Sequence, residues 1–183
     1  MAEAPTSLHV IERAVTGRAK CRGCDQKVAA GESRFGERVP NPYADDGGQT
    51  THWFHVACAA FSRPEAFLEA LPAAPADLMP DRERLEREAT LGAAHRRLPR
   101  ARGAERAATG RAACRQCREP IEKGAWRIAL VYYEDGRFTP SGYIHITCAA
   151  AYLETTAIIG RLRHFSPTLT DADVDELRRA LET

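Results

Sequence analysis

Lysine is nearly missing from this chain. It stands only at positions 20, 27 and 123, so the 26 basic residues are almost all arginine, a bias that a GC-rich genome would also produce. Long apolar runs are missing too. The longest, around residues 146–153, falls far short of the roughly 20 residues that a membrane-spanning helix needs, so no membrane partner is expected. The opening MAEAPTSLHVIERA has no basic start followed by an apolar run, so no secretory signal is expected. An excess of one charge is lacking as well: the formal net charge is +1, which by itself predicts no polyanionic partner. Cysteine is limited to six residues, and all six fall in one repeated pattern.

That pattern organises the chain. Residues 12–24 read ERAVTGRAKCRGC and residues 105–117 read ERAATGRAACRQC, ten of thirteen positions being identical at an offset of 93. Each copy ends in Cys-x-x-Cys, Cys21/Cys24 and Cys114/Cys117, and each is followed about thirty residues later by His-x-x-Cys, at His55/Cys58 and His145/Cys148. Two chelating pairs at such a separation are a signature of structural zinc, one ion per copy and two per chain. A six-cysteine disulfide framework is the rival reading. It is disfavoured because the histidines repeat with the cysteines and because no secretory signal leads to an oxidising compartment. With three thiolates and one Zn2+ per site, the net charge falls from +1 to −1. Polyanion binding would therefore rest on local charge, and the eight arginines between Ala93 and Arg118, against the single acid Glu105, provide it.

Two small modules of about 80 residues are expected, each near the size at which an apolar core alone is marginal and a metal staple makes up the difference. The reading is of residues 8–92 as the first module, 93–103 as a basic linker and 104–183 as the second. Residues 1–7 read as a loose terminus. Leu8, Ile11 and Val15 share one side of a short helix over 8–14. A strand is expected over 33–39, then a Pro/Asn/Gly loop over 40–48, and a helix opening at His55, where ligands at i and i+3 share a face. Further helices are expected from Pro64 to Leu71 and from Asp81 to Ala89. In the second copy, Trp126–Glu134 reads as a strand, Asp135-Gly136 as a hairpin turn, Phe138–Ile144 as the return strand and His145–Leu153 as a helix. Thr170 with Asp173 reads as the cap of a closing helix carrying Val174, Leu177 and Leu181 on one face, with Leu78–Leu85 in its place in copy one. Trp53, Tyr143 and Trp126 are expected to pack around the metal. His9, His52, His95 and His164 are expected at the surface, His52 being the one that could stray toward a metal.

Gly-Arg-Ala-x-Cys-x-x-Cys, then Gly31/Arg34 and Gly124/Arg127, then Trp53 or Tyr143 two residues before His-x-x-Cys, resembles the PARP-type zinc finger. This module stands in tandem in poly(ADP-ribose) polymerase and singly in a nick-sealing DNA ligase. The resemblance covers nearly the whole chain, twice. It implies small α+β zinc-stapled modules, each a short antiparallel sheet with flanking helices, and recognition of DNA strand breaks or ends with little regard for base sequence. By position, Arg18, Arg34, Arg111 and Arg127 match phosphate contacts. Tyr43 in the first loop, with Tyr133 and Phe138 in the second, are the candidates for stacking on an uncovered base. Asp45 and Asp46 in the first loop would repel phosphate, so copy two is expected to bind more tightly.

The expected function is thus non-catalytic binding of broken DNA, with a protein partner in repair as a further possibility and no small-molecule substrate. A zinc-stapled protein-interaction adaptor without DNA binding is the alternative. A zinc hydrolase or deaminase would need an open metal position and a general-base carboxylate, and the spacing offers neither. Heavy Arg/Ala usage points to a bacterial source and a nucleoid-associated cytoplasmic location; in a eukaryote the location would be nuclear.

Overall fold

The computed structural model describes residues 8–45 and 47–183, so the expectations for residues 1–7 and for Asp46 lie outside the described residues. The chain divides into two compact units between Ala94 and His95.

The first unit is built on an antiparallel sheet of β1 (Val10–Arg13), β2 (Ser33–Pro40) and β3 (Gln49–His55), in the order β1-β2-β3. β1 replaces the short helix expected over 8–14. Ile11 lies opposite Phe35 in the register and is buried. Pairing along an existing strand satisfies the backbone of four residues at once, which outweighs a weak local helix preference. The helices α1 (Val56–Ser62), α2 (Pro64–Ala70) and α3 (Arg82–Ala94) follow, and Pro64 opens α2 where its missing N–H costs nothing. The core is Phe35, Phe54, Phe61 and Phe67, all fully buried, and α3 closes it with Leu85 and Ala89.

The second unit repeats the sheet with β4 (Ala101–Arg106), β5 (Trp126–Glu134) and β6 (Arg137–His145). Asp135 and Gly136 form the tight turn between β5 and β6, both with positive φ. Residues 93–103 are not free connector. Ala93 and Ala94 end α3, and Ala101 to Gly103 lie in β4, where Ala101 is opposite Leu130. After a single 3-10 turn over Ile146–Cys148 come α4 (Ala149–Leu153), α5 (Ile159–Phe165) and α6 (Asp171–Leu181). Thr170 and Asp173 form the expected reciprocal cap of α6. The core here is aliphatic: Ile128, Leu130, Ile144, Leu153, Ile158 and Leu162.

The closing elements do not correspond as expected. Arg106 on β4 is paired with Glu176 on α6. Its repeat partner Arg13 on β1 is paired with Asp77, which lies in a 3-10 turn before α3. The short turn around Leu78, not α3, thus stands where α6 stands in the second unit, and α3 instead packs on α1 and α2.

Candidate metal centres and the surface around them

Each sheet ends at a knuckle. In the first unit Cys21 N–H donates to Gln26 O, Asp25 N–H donates to Cys21 O, and Asp25 takes a positive φ of 60° to close the turn. Cys114, Glu119 and Arg118 repeat this, Arg118 with φ of 70°. The turn aims two thiols at the start of the following helix, where β3 and β6 deliver the histidine. Cys21, Cys24, His55 and Cys58 thereby converge with all ligand atoms within 4.8 Å of one another, and so do Cys114, Cys117, His145 and Cys148. His52 is not among them.

The donors fit zinc. Bond lengths of about 2.0–2.3 Å set ligand atoms of a tetrahedron roughly 3.5–3.8 Å apart. Cys24 Sγ lies 3.3 Å from His55 Nδ1, and Cys117 and Cys148 Sγ lie 3.4 and 3.9 Å from His145 Nδ1. The other ring nitrogen is committed in both units: His55 Nε2 is 3.3 Å from Lys27 O and His145 Nε2 is 3.2 Å from Pro120 O. A carbonyl can only accept, so Nε2 carries the proton and Nδ1 presents its lone pair to the metal. All six cysteines are free thiols. Each centre is a Cys3His site for one zinc ion, whose four protein ligands fill the tetrahedron and make its role structural.

The first thiol of each site is prepared to ionise. Cys21 Sγ accepts from the N–H groups of Gly23 and His55, and Cys114 Sγ accepts from those of Gln116 and His145. A hydrogen bond with Cys58, opposed by burial and aided by the His55 ring, holds Cys21 at about 3. Burial would raise Cys114, yet the N–H groups of Cys117, His145 and Gln116 carry it down to about 6. Cys58 is pushed up, first by its bond with Cys21 and then by burial, and burial together with the neighbouring thiols raises Cys148 to about 12. Metal binding takes up the charge that one thiolate already holds and expels the remaining protons.

The residues expected to touch DNA fall into three groups. Arg18 and Arg111, three residues before each knuckle, are exposed and have no carboxylate partner among the described residues. Tyr43 is 92% exposed at the tip of the first loop, where its N–H donates to the Asn41 side chain. Tyr133 and Phe138 face each other across the β5–β6 hairpin with ring centroids 4.6 Å apart, half-buried, and Arg102 lies 4.1 Å over Phe138.

Arg34 and Arg127 are placed otherwise. Their side chains are only 12% and 11% exposed, each bonded through Nε and Nη2 to one oxygen of Glu12 or Glu105. Each also lies flat on an aromatic ring, Trp53 at 3.5 Å and Tyr143 at 3.6 Å. The arginine-rich stretch before the second knuckle is similarly engaged. Arg97 covers Tyr152, Arg100 covers Tyr132, and Arg106 covers Trp126 while pairing with Glu176. Trp126 therefore serves α6, donating to Glu176, and not the metal. His9, expected at the surface, is mostly buried beside Phe35 and accepts the Arg38 N–H. Glu12 and Glu105 escaped sequence reasoning, although both are identities within the repeat.

Residues 12–90 match the family described as the poly(ADP-ribose) polymerase and DNA-ligase Zn-finger region. The chain is similar to poly [ADP-ribose] polymerase 1 of Gallus gallus, 27% identical over 142 residues that cover 70% of this chain and 14% of that protein. It is similar also to poly [ADP-ribose] polymerase of Sarcophaga peregrina, 26% identical over 147 residues, with 68% and 14% covered. The chain thus spans about 14% of the length of these curated relatives.

Proposed function

We propose that this protein, whose residues 12–90 match the PARP-type zinc-finger family, binds DNA at strand breaks or ends without catalysing a reaction. The observation that carries the proposal is the pair Arg18 and Arg111, equivalent in the repeat, exposed beside each zinc knuckle and free of carboxylate partners among the described residues. An exposed planar guanidinium can clamp backbone phosphate. Tyr43, with its ring in water, supplies an apolar face for a base that has lost its stacking neighbour, and Tyr133 with Phe138 supply a second, already paired one. Four protein ligands on each zinc support a non-catalytic role. The proposed setting is the nucleoid of a bacterial cell or, for a eukaryotic chain, the nucleus, with a repair protein as a further partner.

The test is binding to nicked, gapped, blunt-ended and closed-circular DNA over a salt series. Preference for ends, with affinity falling steeply as salt rises, is the expected result. Equal binding to all forms, or none, would reject it. Arg111→Ala should weaken binding more than Arg18→Ala if the second unit is the tighter, as Asp45 in the first loop favours.

The second reading, a protein-interaction adaptor, draws on one observation. Arg97, Arg100, Arg102 and Arg106 lie on aromatic rings within their own unit, and Arg106 is also paired with Glu176, which leaves fewer guanidinium planes free to clamp phosphate. An adaptor would show neither end preference nor a steep salt slope.

A further inference from the structure

The same three-residue line crosses both sheets. In the first unit Glu12 on β1 holds Arg34 on β2, and Arg34 lies on the ring of Trp53 on β3. The main chain then carries the line onward, because Trp53 O accepts the N–H of Arg22, the residue after the ligand Cys21, at 2.9 Å. In the second unit Glu105, Arg127 and Tyr143 repeat the arrangement with the same atoms, and Tyr143 O accepts the N–H of Arg115 at 2.8 Å. Arg34 and Arg127 are also the register partners of the ligand histidines, His55 and His145.

We propose that Arg34 and Arg127 are positioning residues of the two zinc centres. Each locks the outer and inner strands to the knuckle, so that the first thiol and the imidazole are held at ligand separation before metal arrives. The chemistry explains the choice of residue. Only a guanidinium offers two fixed N–H donors to one carboxylate oxygen and a flat face to a ring at once; an ammonium offers neither the fork nor the plane. Burial removes both arginines from the surface, and the carboxylate offsets the charge that burial would otherwise leave bare. Groups behind a metal ligand set its orientation and change affinity when removed. The line recurs in two units whose largest buried apolar side chains differ, phenylalanine in the first and isoleucine or leucine in the second, which marks it as a requirement of the centre and not of the packing behind it. This inference does not depend on the DNA reading.

The test uses the full chain, wild type against Arg127→Ala and Arg127→Lys, with Co2+ as the spectroscopic metal and a zinc chelator of known strength as competitor. One of the two metal equivalents should bind about 10–100-fold more weakly in both variants, with an altered d–d envelope, while the other equivalent is unchanged. Two wild-type equivalents with wild-type spectra in Arg127→Ala would overturn the proposal. So would full recovery by Arg127→Lys, since charge alone would then suffice; if Arg127→Ala takes up only one metal under all conditions, the lysine variant decides in the same way. At saturating zinc, the salt slope of binding to nicked DNA should stay at the wild-type value. A slope lower by about one with unchanged metal affinity would make Arg127 a phosphate contact instead. A protein that binds no DNA in any form leaves the metal measurements fully decisive.

Discussion

In the first unit a buried carboxylate, Glu37, takes three hydrogen-bond contacts from Arg63. At the equivalent positions of the second unit stand Leu130 and Leu153, both fully buried. One sheet thus tolerates an ion pair or two leucines at the same place. The metal sites differ in the same sense. Cys21 and Cys58 are sealed from solvent, and Gly23 leaves no room for a side chain, since a Cβ there would lie 2.7 Å from the Cys58 Cβ. In the second unit Cys114 is buried too, but Gln116 replaces the glycine, Cys148 is only half-buried and Cys117 is exposed. What the copies share is the part that touches the metal; what lies behind it is free to vary in chemistry as long as volume and polar pairing are met.

The comparison breaks most strongly at the metal. Cys21→Ser or Cys114→Ser should each cost one zinc and unfold its own unit alone, because structural zinc contributes about 10–16 kcal/mol of apparent binding energy in small modules; metal content by mass and amide exchange would read it. In the intact protein a chelator should empty the second site before the first, giving two phases of zinc release. A single phase would contradict the difference in sealing.

Next comes the ion pair. Arg63→Leu removes the guanidinium bonded to buried Glu37 and should destabilise the first unit by about 3–5 kcal/mol, whereas Glu37→Leu with Arg63→Leu should recover most of the loss. Denaturant melts of the single and double variants test whether the first unit accepts the solution that the second uses. Thr170→Ala removes the reciprocal cap of α6 and should cost the second unit about 1 kcal/mol.

The smallest effect is one of pH. Hydrogen bonds from Trp126 Nε1 and then from Arg106 hold Glu176 below the ordinary carboxylate range. A lowered pKa means stability that is present above the unfolded value and lost as pH falls through the folded one. Wild type should therefore lose a small advantage over Glu176→Gln on acidification.

Much of this could be read from the chain. The eight ligands were legible because chelation imposes fixed spacings, and the β5–β6 hairpin because alternation and Asp-Gly coincide. β1 and β4 were not. Val10–Arg13 and Ala101–Arg106 carry little preference of their own and become strands by pairing with β2 and β5. α5 was hidden because Arg161 lies on its buried side, with Nη1 donating to Ala101 O, where an apolar pattern would have marked the face. The partners of Arg34 and Arg127 were hidden for a different reason: sequence places an arginine near a ligand but not the glutamate 22 residues earlier that claims it.

The scarcity of lysine has a practical side. Lys20 and Lys27 bridge across the first knuckle and Lys123 follows the second, all three exposed. Amine-directed reagents thus have side-chain targets only beside the zinc-bearing turns. A lysine-reactive probe would report on those two patches and stay silent over the helices, so protection by a bound partner could be mapped without mutating a single residue.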